Sequence, residues 1–185
     1  MTNTESAIDT LRSGFEGDIL RPGDAGYDDA RAVWNAMIDR RPALIARCRS
    51  VADVVSAVKF AGAQNLPVSI RGGAHNVAGH AVCDDGLMID MSLMRSVDVD
   101  VNARRARVEG GAIWADVDEK TQPHGLATPG GLISDTGVAG LTLSGGIGWL
   151  RAKHGLSIDN LMAADVVVAS GNLVHCSEAE NEDLL

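Results

Sequence analysis

Two glycine-rich tracts place the strongest constraint on how this chain can fold. The first, RGGAHNVAGH at residues 71–80, directly follows the strand-like stretch LPVSI, and the second occupies residues 126–150. Glycine adopts backbone conformations that other residues avoid, and it lets a ligand or another backbone approach closely. His75 therefore lies in a segment with few other side chains, and the presence of its imidazole needs an explanation.

Local signals predict a β-α-β unit that leads into the first tract. Pro42 favours an extended backbone before the apolar run ALIARC, and Ser50 is a suitable N-cap for a helix that ends near Asn65. The run VSI then forms a short buried strand that continues into the tract. Downstream we expect strands at residues 87–90 and 97–101, a return strand ARVEGG, a helix at residues 112–121 and a β-hairpin around Gly171 and Asn172.

The two ends of the chain give weaker signals. DTLRSGF predicts a short helix and RPGDAGYDDAR a turn-rich connector, so we assign residues 1–39 to an N-terminal extension and residues 40–185 to one domain. Near the other end, SEAENEDLL is typical of a capped helix, with Ser177 as the N-cap and Glu180 three residues later. The chain stops before this helix completes an apolar face, and we therefore expect a truncated fragment.

The charge of the chain limits its partners. Sixteen basic and 25 acidic residues give a formal net charge of −9, and the basic residues form no cluster. This balance argues against a broad nucleic-acid or anionic-membrane surface, so an anionic ligand would need a local pocket. The N-terminus lacks the basic and apolar regions of an export signal, and no stretch of about 18 apolar residues occurs. We expect a protein without nucleic-acid or membrane partners.

The cysteines indicate a reducing compartment. Cys48, Cys83 and Cys176 are odd in number, far apart and outside any C-x-x-C spacing. They are typical of reduced thiols that act as small buried hydrophobes, and they favour a cytoplasmic location.

Familiar cofactor and metal motifs are absent from the sequence. It contains no G-x-x-x-x-G-K-[ST], and no G-x-G-x-x-G follows a first strand with an acidic residue downstream. His75, His80 and Cys83 leave a metal-binding interaction domain as a weak alternative, although their spacing matches no common zinc site and we predict no metal.

The remaining chemistry is that of the backbone. In residues 72–76 few side chains cover the N–H groups, and consecutive N–H groups of this kind can bind the oxygens of a diphosphate. Residues 136–146 offer a similar surface, so the two tracts could face each other across one dinucleotide. The alternative is that the glycines only make tight turns.

Four stretches carry a resemblance to a known family. RGGAHNVAGH, DGLMIDMSLM, GGLISDTGVAGLTLSGGIGWLRAKHGLSIDNL and VVVASGNLVHCSEAENEDLL resemble, in this order, the PCMH-type FAD-binding domain of the vanillyl-alcohol oxidase family. The berberine-bridge-enzyme-like FAD-linked oxidases are the most similar branch, and the resemblance covers about residues 34–185. It implies an α+β fold of two lobes, a small N-terminal β-α-β lobe and a larger mixed α/β lobe, with FAD between them.

The resemblance also implies roles for individual residues. His75 matches the histidine that bonds covalently to the 8α-methyl group of the flavin, and Ser134 stands where some members carry a second, cysteinyl bond. We therefore expect a single covalent bond at most. The implied cofactor-binding residues are Arg71, Gly72, Gly73, Ala74, His75, Asn76 and Gly79 in the first tract, Thr136, Gly140, Leu141, Gly145 and Gly146 in the second, and Val174 near the adenine. For His80, His154 and His175 we expect ordinary polar roles, and for Trp34, Trp114 and Trp149 packing in a core or groove.

The function that follows from the resemblance is that of an FAD-dependent oxidase. Hydride would pass from a small alcohol, sugar or amine to the flavin, with oxygen as the acceptor. Family members continue beyond the end of this chain into a substrate domain that carries the catalytic base. That base has no counterpart in this sequence, and the chain alone is expected to be inactive. A non-catalytic flavin-binding module that needs a partner chain is the second hypothesis.

Overall fold

The computed structural model describes residues 3–185, which begin with helix α1 (Asn3–Ser13) and strand β1 (Asp18–Leu20). Strand β1 belongs to a four-stranded sheet with β2 (Leu44–Arg47), β3 (Val68–Arg71) and β4 (Leu87–Asp90). The strand order in this sheet is β1-β2-β4-β3. Strand β1 is antiparallel to β2, whereas β2 and β3 both run parallel to β4. The first glycine tract therefore begins at the carboxyl end of an edge strand.

Helix α3 (Val51–Gln64) connects β2 to β3 and has strong local signals at both ends. The Ser50 hydroxyl accepts the N–H of Asp53, and the helix ends at Asn65, which has the left-handed conformation with φ 51°. The buried Asp53 carboxylate accepts the N–H groups of Glu16, Gly17 and Arg49, so this one residue ties α3 to the segment before β1.

The first core lies on both faces of this sheet. Leu44, Ala46, Leu87 and Ile89 face a cluster that includes residues of α1 and α3. On the opposite face, Ile45 and Met88 pack with Tyr27 of the short helix α2 (Tyr27–Arg31). Because β2 and β4 are covered on both sides, their sequences read as continuous apolar runs, which is typical of buried parallel strands.

The second half of the chain contains smaller units. Strands β5 (Val97–Asp100) and β6 (Arg105–Val108) form an antiparallel pair, and helix α4 (Trp114–Thr121) packs beside it through Trp114 and Val117. The second tract contains the short helices α5 (Val138–Leu143) and α6 (Arg151–His154). Strands β7 (Ala163–Val167) and β8 (Leu173–Ser177) form the expected hairpin at Gly171 and Asn172. The mixed α/β fold class is thereby confirmed. Among residues 3–185 no helix has the length and apolar character needed to cross a bilayer.

The ends of the chain differ from the predictions. Helix α1 begins well before DTLRSGF, and RPGDAGYDDAR contains helix α2 rather than turns alone. The capped helix predicted at Ser177 is wrong, because Ser177 belongs to the β7–β8 ladder opposite Ala163 and its hydroxyl accepts the N–H of Ala179 in a turn. An isolated bridge between Ser177 and Glu180 and a 3-10 turn, Glu182–Leu184, follow. Helix α1 and strand β1 join the first core and sheet, while the proposed domain boundary at residue 40 stays a prediction.

Replacing Asp53 tests the link between α3 and the N-terminal segment. In Asp53→Asn one carboxylate oxygen becomes an N–H donor that faces other donors, so we expect the free energy of unfolding to fall by about 3 kcal/mol. Ser50→Ala removes only the helix cap and should cost about 1 kcal/mol. Urea unfolding measures both values, and equal losses in the two variants would contradict the assigned role.

Asp165 should make the stability of the β7–β8 hairpin depend on pH. Its carboxylate lies 2.8 Å from His175 Nδ1 and 2.6 Å from the Arg107 guanidinium. The hydrogen bond with His175 and then the charge of Arg107 lower the pKa of Asp165, and burial opposes them. A carboxyl whose pKa is lower in the folded state stabilises the protein above the unfolded value of about 3.9, and this stabilisation is lost as the pH falls through the folded value.

The difference in Tm between the wild type and Asp165→Asn should therefore be largest above about pH 5 and shrink below about pH 4. Asp118→Asn on the exposed side of α4 is the control with the same change in charge. A Tm difference that stays constant across this range would contradict the assignment.

Candidate functional site

The first tract leaves β3 as a loop with free backbone donors. Ala74 is buried and has the left-handed conformation with φ 59°. Within the described part of the chain, the N–H groups of residues 72–76 donate to no protein oxygen. Buried or half-buried N–H groups normally have partners, so a run of free donors at a bend indicates a place where an anion binds.

The two tracts touch through their backbones. A Cβ atom added to Gly137 would lie 2.5 Å from the Gly73 nitrogen, and a Cβ atom added to Gly73 would collide with the Gly137 nitrogen. Gly137 is held in place by an isolated β-bridge with Ile113, and the Val138 N–H donates to the Ala112 oxygen. The close approach of the two backbones therefore requires glycine at both positions. Backbone conformation does not explain Gly137, because its φ of −66° is ordinary.

His75 lies beside this contact, and its ring has Trp34 and Asp135 as neighbours. Its imidazole stacks on the indole of Trp34, with ring centroids 5.6 Å apart and an interplanar angle of 22°. Its Nε2 lies 3.6 Å from Asp135 Oδ1, and the side chain is 22% exposed. The backbone N–H of Trp34 also donates to the backbone oxygen of Ala74, so the stacking residue is fixed to the same loop.

Arg71 anchors the start of the loop instead of pointing towards the second tract. Its guanidinium donates to the Ala30 oxygen and lies 4.0 Å from the buried carboxylate of Asp90. Together with Arg47 these groups line a cavity of about 270 Å³, and the Arg71 Nε has no hydrogen-bond partner among the described residues.

Asn76 and Gly79 shape the end of the loop. The Asn76 side-chain oxygen accepts the N–H of His80, and the Gly79 N–H donates to the Asn76 backbone oxygen. Gly79 has a φ of 78°, and a Cβ atom there would lie 2.8 Å from Ile38. The Asn76 side chain is thus engaged in the turn of its own loop.

The other predicted residues lie around the second tract and the hairpin. The Thr136 oxygen accepts the N–H of Trp114, and Leu141 packs against the Trp114 cluster. Gly140 lies on α5 with open space around it, while Gly145 and Gly146 have φ values of 98° and 83°. Val174 is half-buried in β8. The backbone contact with Gly73 of the first tract is made by Gly137. The cofactor-binding roles of the predicted residues stay predictions.

The Cys48 thiol and the metal-binding alternative gain no support from the geometry. Burial, and then the nearby charges of Asp53 and Asp90, raise the pKa of Cys48 to about 12, so its thiol is inert near neutral pH. Among residues 3–185, no three His, Cys, Asp or Glu side chains are placed to hold a metal ion. The geometry at His75, His80 and Cys83 therefore gives no support for the metal-binding alternative.

The site fits a flavin dinucleotide on structural grounds. The free N–H groups of residues 72–76 are donors suited to diphosphate oxygens. The backbone contact between Gly73 and Gly137, which we call the seam, tolerates only glycine at both positions. His75 belongs to the same loop as Gly73, and its Nε2 lies 3.6 Å from Oδ1 of Asp135, two residues before Gly137.

Comparisons with known proteins agree with this fit. Residues 42–177 match the family described as "FAD binding domain". The chain is 38% identical to (R)-6-hydroxynicotine oxidase of Paenarthrobacter nicotinovorans, over 92% of this chain and 37% of that protein. Its fold matches the crystal structure of 6-hydroxy-D-nicotine oxidase from Arthrobacter nicotinovorans with a TM-score of 0.90, 38% identity, and coverage of 92% and 38% of the two chains. The glucooligosaccharide oxidase of Acremonium strictum matches with a TM-score of 0.89, 32% identity and coverage of 97% and 38%.

The fold and the two apposed tracts therefore define a PCMH-type FAD-binding domain. The chain belongs to the vanillyl-alcohol oxidase family, in the branch of the berberine-bridge-enzyme-like FAD-linked oxidases. It spans less than two-fifths of the length of these relatives, at 37% and 38%.

Three residues of this site, Trp34, Asp135 and Gly137, are not among the predicted cofactor-binding residues. Packing in a core or groove is predicted for Trp34, but the residue is 63% exposed and stacks on His75. Trp149 is 84% exposed, and only Trp114 is a core residue as predicted. Asp135 and Gly137 lie within the second tract, and no local pattern in the sequence indicates which positions of that tract contact the first.

Gly137→Ala tests the contact between the tracts. The added Cβ would meet the Gly73 backbone, which cannot rotate away, so we expect the free energy of unfolding to fall by about 2 kcal/mol and flavin binding to be lost. Gly62→Ala, in α3 with open space around it, is the matched control and should be neutral or slightly stabilising. Urea unfolding and the flavin content of the purified chains measure the two effects, and wild-type flavin content in Gly137→Ala would contradict the proposed seam.

Proposed function

We propose that this chain is the flavin-binding part of an FAD-dependent oxidase that takes hydride from a small alcohol, sugar or amine and passes the electrons to dioxygen. The observation that carries the proposal is the seam between Gly73 and Gly137, with free backbone donors on one side and His75 beside it. The relatives include a hydroxynicotine oxidase and an oligosaccharide oxidase, and these support the choice of substrate classes.

In this proposal the flavin supplies the redox chemistry and the protein positions it. The N–H groups of residues 72–76 bind the diphosphate, which explains how a chain with a net charge of −9 holds an anion. Fixed donors act at hydrogen-bond distance, whereas distant surface charges are screened beyond a Debye length of about 8 Å. The remaining predicted residues of the second tract and Val174 line the rest of the cofactor.

We further propose that His75 bonds covalently to the 8α carbon of the flavin. The glucooligosaccharide oxidase of Acremonium strictum has a 6-S-cysteinyl, 8α-N1-histidyl FAD, which supports a histidyl bond in this branch. In the present chain the position assigned to the cysteinyl bond is Ser134, whose side chain is exposed, so the proposal is limited to one bond.

A second candidate is a flavin-binding module that another segment or a partner chain completes. Leu143, Ile147 and Trp149 of the second tract are 71%, 58% and 84% exposed, and apolar side chains grouped in this way favour coverage by further protein. This candidate includes the partner that the sequence predicts, either a substrate domain or a separate chain. The free thiols at Cys48, Cys83 and Cys176 favour the cytoplasm, which is also a proposal.

Covalent attachment is tested by denaturing the purified chain in acid. We expect a yellow chain whose flavin fluorescence stays with the polypeptide, and a His75→Ala chain from which acid releases all flavin. His80→Ala, an exposed histidine of the same loop, is the control and should retain the flavin. A colourless wild type would contradict the main proposal, and flavin retained by His75→Ala would contradict the bond.

Substrate bleaching separates the oxidase from the module. Sugars, alcohols and amines are added without oxygen, and the flavin absorbance is followed. We expect the 185-residue chain to bind flavin without bleaching and the protein extended to the length of its relatives to bleach with one of these classes. If the extended protein does not bleach with any of them, the module is favoured.

A further inference from the structure

Asp135 is held at a defined place beside His75. The backbone oxygens on either side of it are both bound: Ser134 accepts the N–H of Ala115, and Thr136 accepts the N–H of Trp114. Two residues later Gly137 contacts the first tract. The carboxylate therefore reaches His75 from a fixed backbone, with Asp135 Oδ1 at 3.6 Å from His75 Nε2.

One nitrogen of the His75 imidazole, Nε2, faces a carboxylate. The Trp34 indole stacks on the ring at an interplanar angle of 22°, with the centroids 5.6 Å apart, and limits how the ring can tilt. Neutral imidazole carries one N–H and one lone pair, and a carboxylate beside one nitrogen favours the proton there. This arrangement leaves the lone pair on Nδ1.

We propose that Asp135 is the positioning residue for flavin attachment, because it keeps the proton of His75 on Nε2 and so frees Nδ1 to form the bond to the flavin. The inference rests on the proposed function, in which His75 is the attachment site. Attachment joins Nδ1 to the 8α carbon, breaks one C–H bond of the methyl group and releases the imidazole proton. The two electrons and two protons set free go to dioxygen, which becomes hydrogen peroxide.

A purely structural role for this pair is less consistent with its geometry. The Asp135 side chain is 66% exposed, and the separation of 3.6 Å is longer than an ordinary hydrogen bond. An exposed contact of this length contributes little to stability, since even exposed pairs of full charges contribute about 1 kcal/mol or less. Removing the carboxylate should consequently leave the fold and the non-covalent binding of FAD intact, which separates the proposed role from a general loss of structure.

The test compares attachment rates in Asp135→Asn, Asp135→Glu and the wild type. Each full chain is prepared free of flavin and mixed with FAD in air, and samples are denatured in acid at intervals to measure flavin that stays with the polypeptide. Intact mass confirms one flavin per chain. Since positioned proton-transfer groups contribute about 10²-fold or more and this carboxylate is largely exposed, we expect Asp135→Asn to slow attachment about tenfold. Total flavin bound and Tm should not change.

Two controls make the outcome specific. Asp135→Glu restores the carboxylate and should recover most of the rate, whereas Asp118→Asn makes the same change of charge on exposed α4 and should attach at the wild-type rate. If the wild type never retains flavin after acid, the proposed bond itself is wrong. If the wild type retains it and Asp135→Asn attaches equally fast, or if Asp135→Glu stays as slow as Asp135→Asn, only the role of Asp135 is overturned.

Discussion

The approach of Gly73 to Gly137 is the contact on which the site depends. It joins a loop from the four-stranded sheet to a tract that packs with β5, β6 and α4, and these two parts of the chain have separate cores. Neither position has room for a Cβ atom, so the seam excludes every residue except glycine even though Gly137 has an ordinary backbone conformation. Close packing of backbone against backbone thus determines where His75 stands relative to Asp135.

Polar groups that keep the loop in place explain why its donors remain free. Arg71 fastens the start of the loop to α2 through the Ala30 oxygen, and the Asn76 side chain closes the turn at its end. With both ends held by side chains, the N–H groups between them are not required for the internal hydrogen bonds of the loop. They are therefore available to an anion.

The sequence alone predicts the elements whose signals are local. Helix α3 has its cap at Ser50 and its end at Asn65, and the β7–β8 hairpin has Gly171 and Asn172 at its turn, so each is determined by residues close to it. The helix predicted to begin at Ser177 is wrong for the complementary reason. Its capping pattern is local, but the backbone of Ser177 pairs with Ala163 in the β7–β8 ladder, and this pairing overrides the local signal. The resemblance identified His75 and both tracts, whereas Trp34 and Asp135 come from parts of the sequence 41 and 60 residues away from His75 and are found only in the folded chain.

The position of His75 also explains what the proposed flavin attachment gains from a site on this loop and not on α3 or β4. A side chain in the first core would be dry and surrounded by apolar groups, as Cys48 is, and burial there raises the pKa of the thiol until it no longer reacts. At the rim of the seam, His75 keeps 22% of its surface exposed while Trp34 and Asp135 restrict its ring. A nucleophile needs both access to its substrate and a fixed orientation. A core orients a side chain but denies access to it, whereas a free loop gives access but leaves the side chain without a fixed orientation. A glycine seam resolves the conflict, because the backbone is fixed by close packing and the side chain beside it stays accessible.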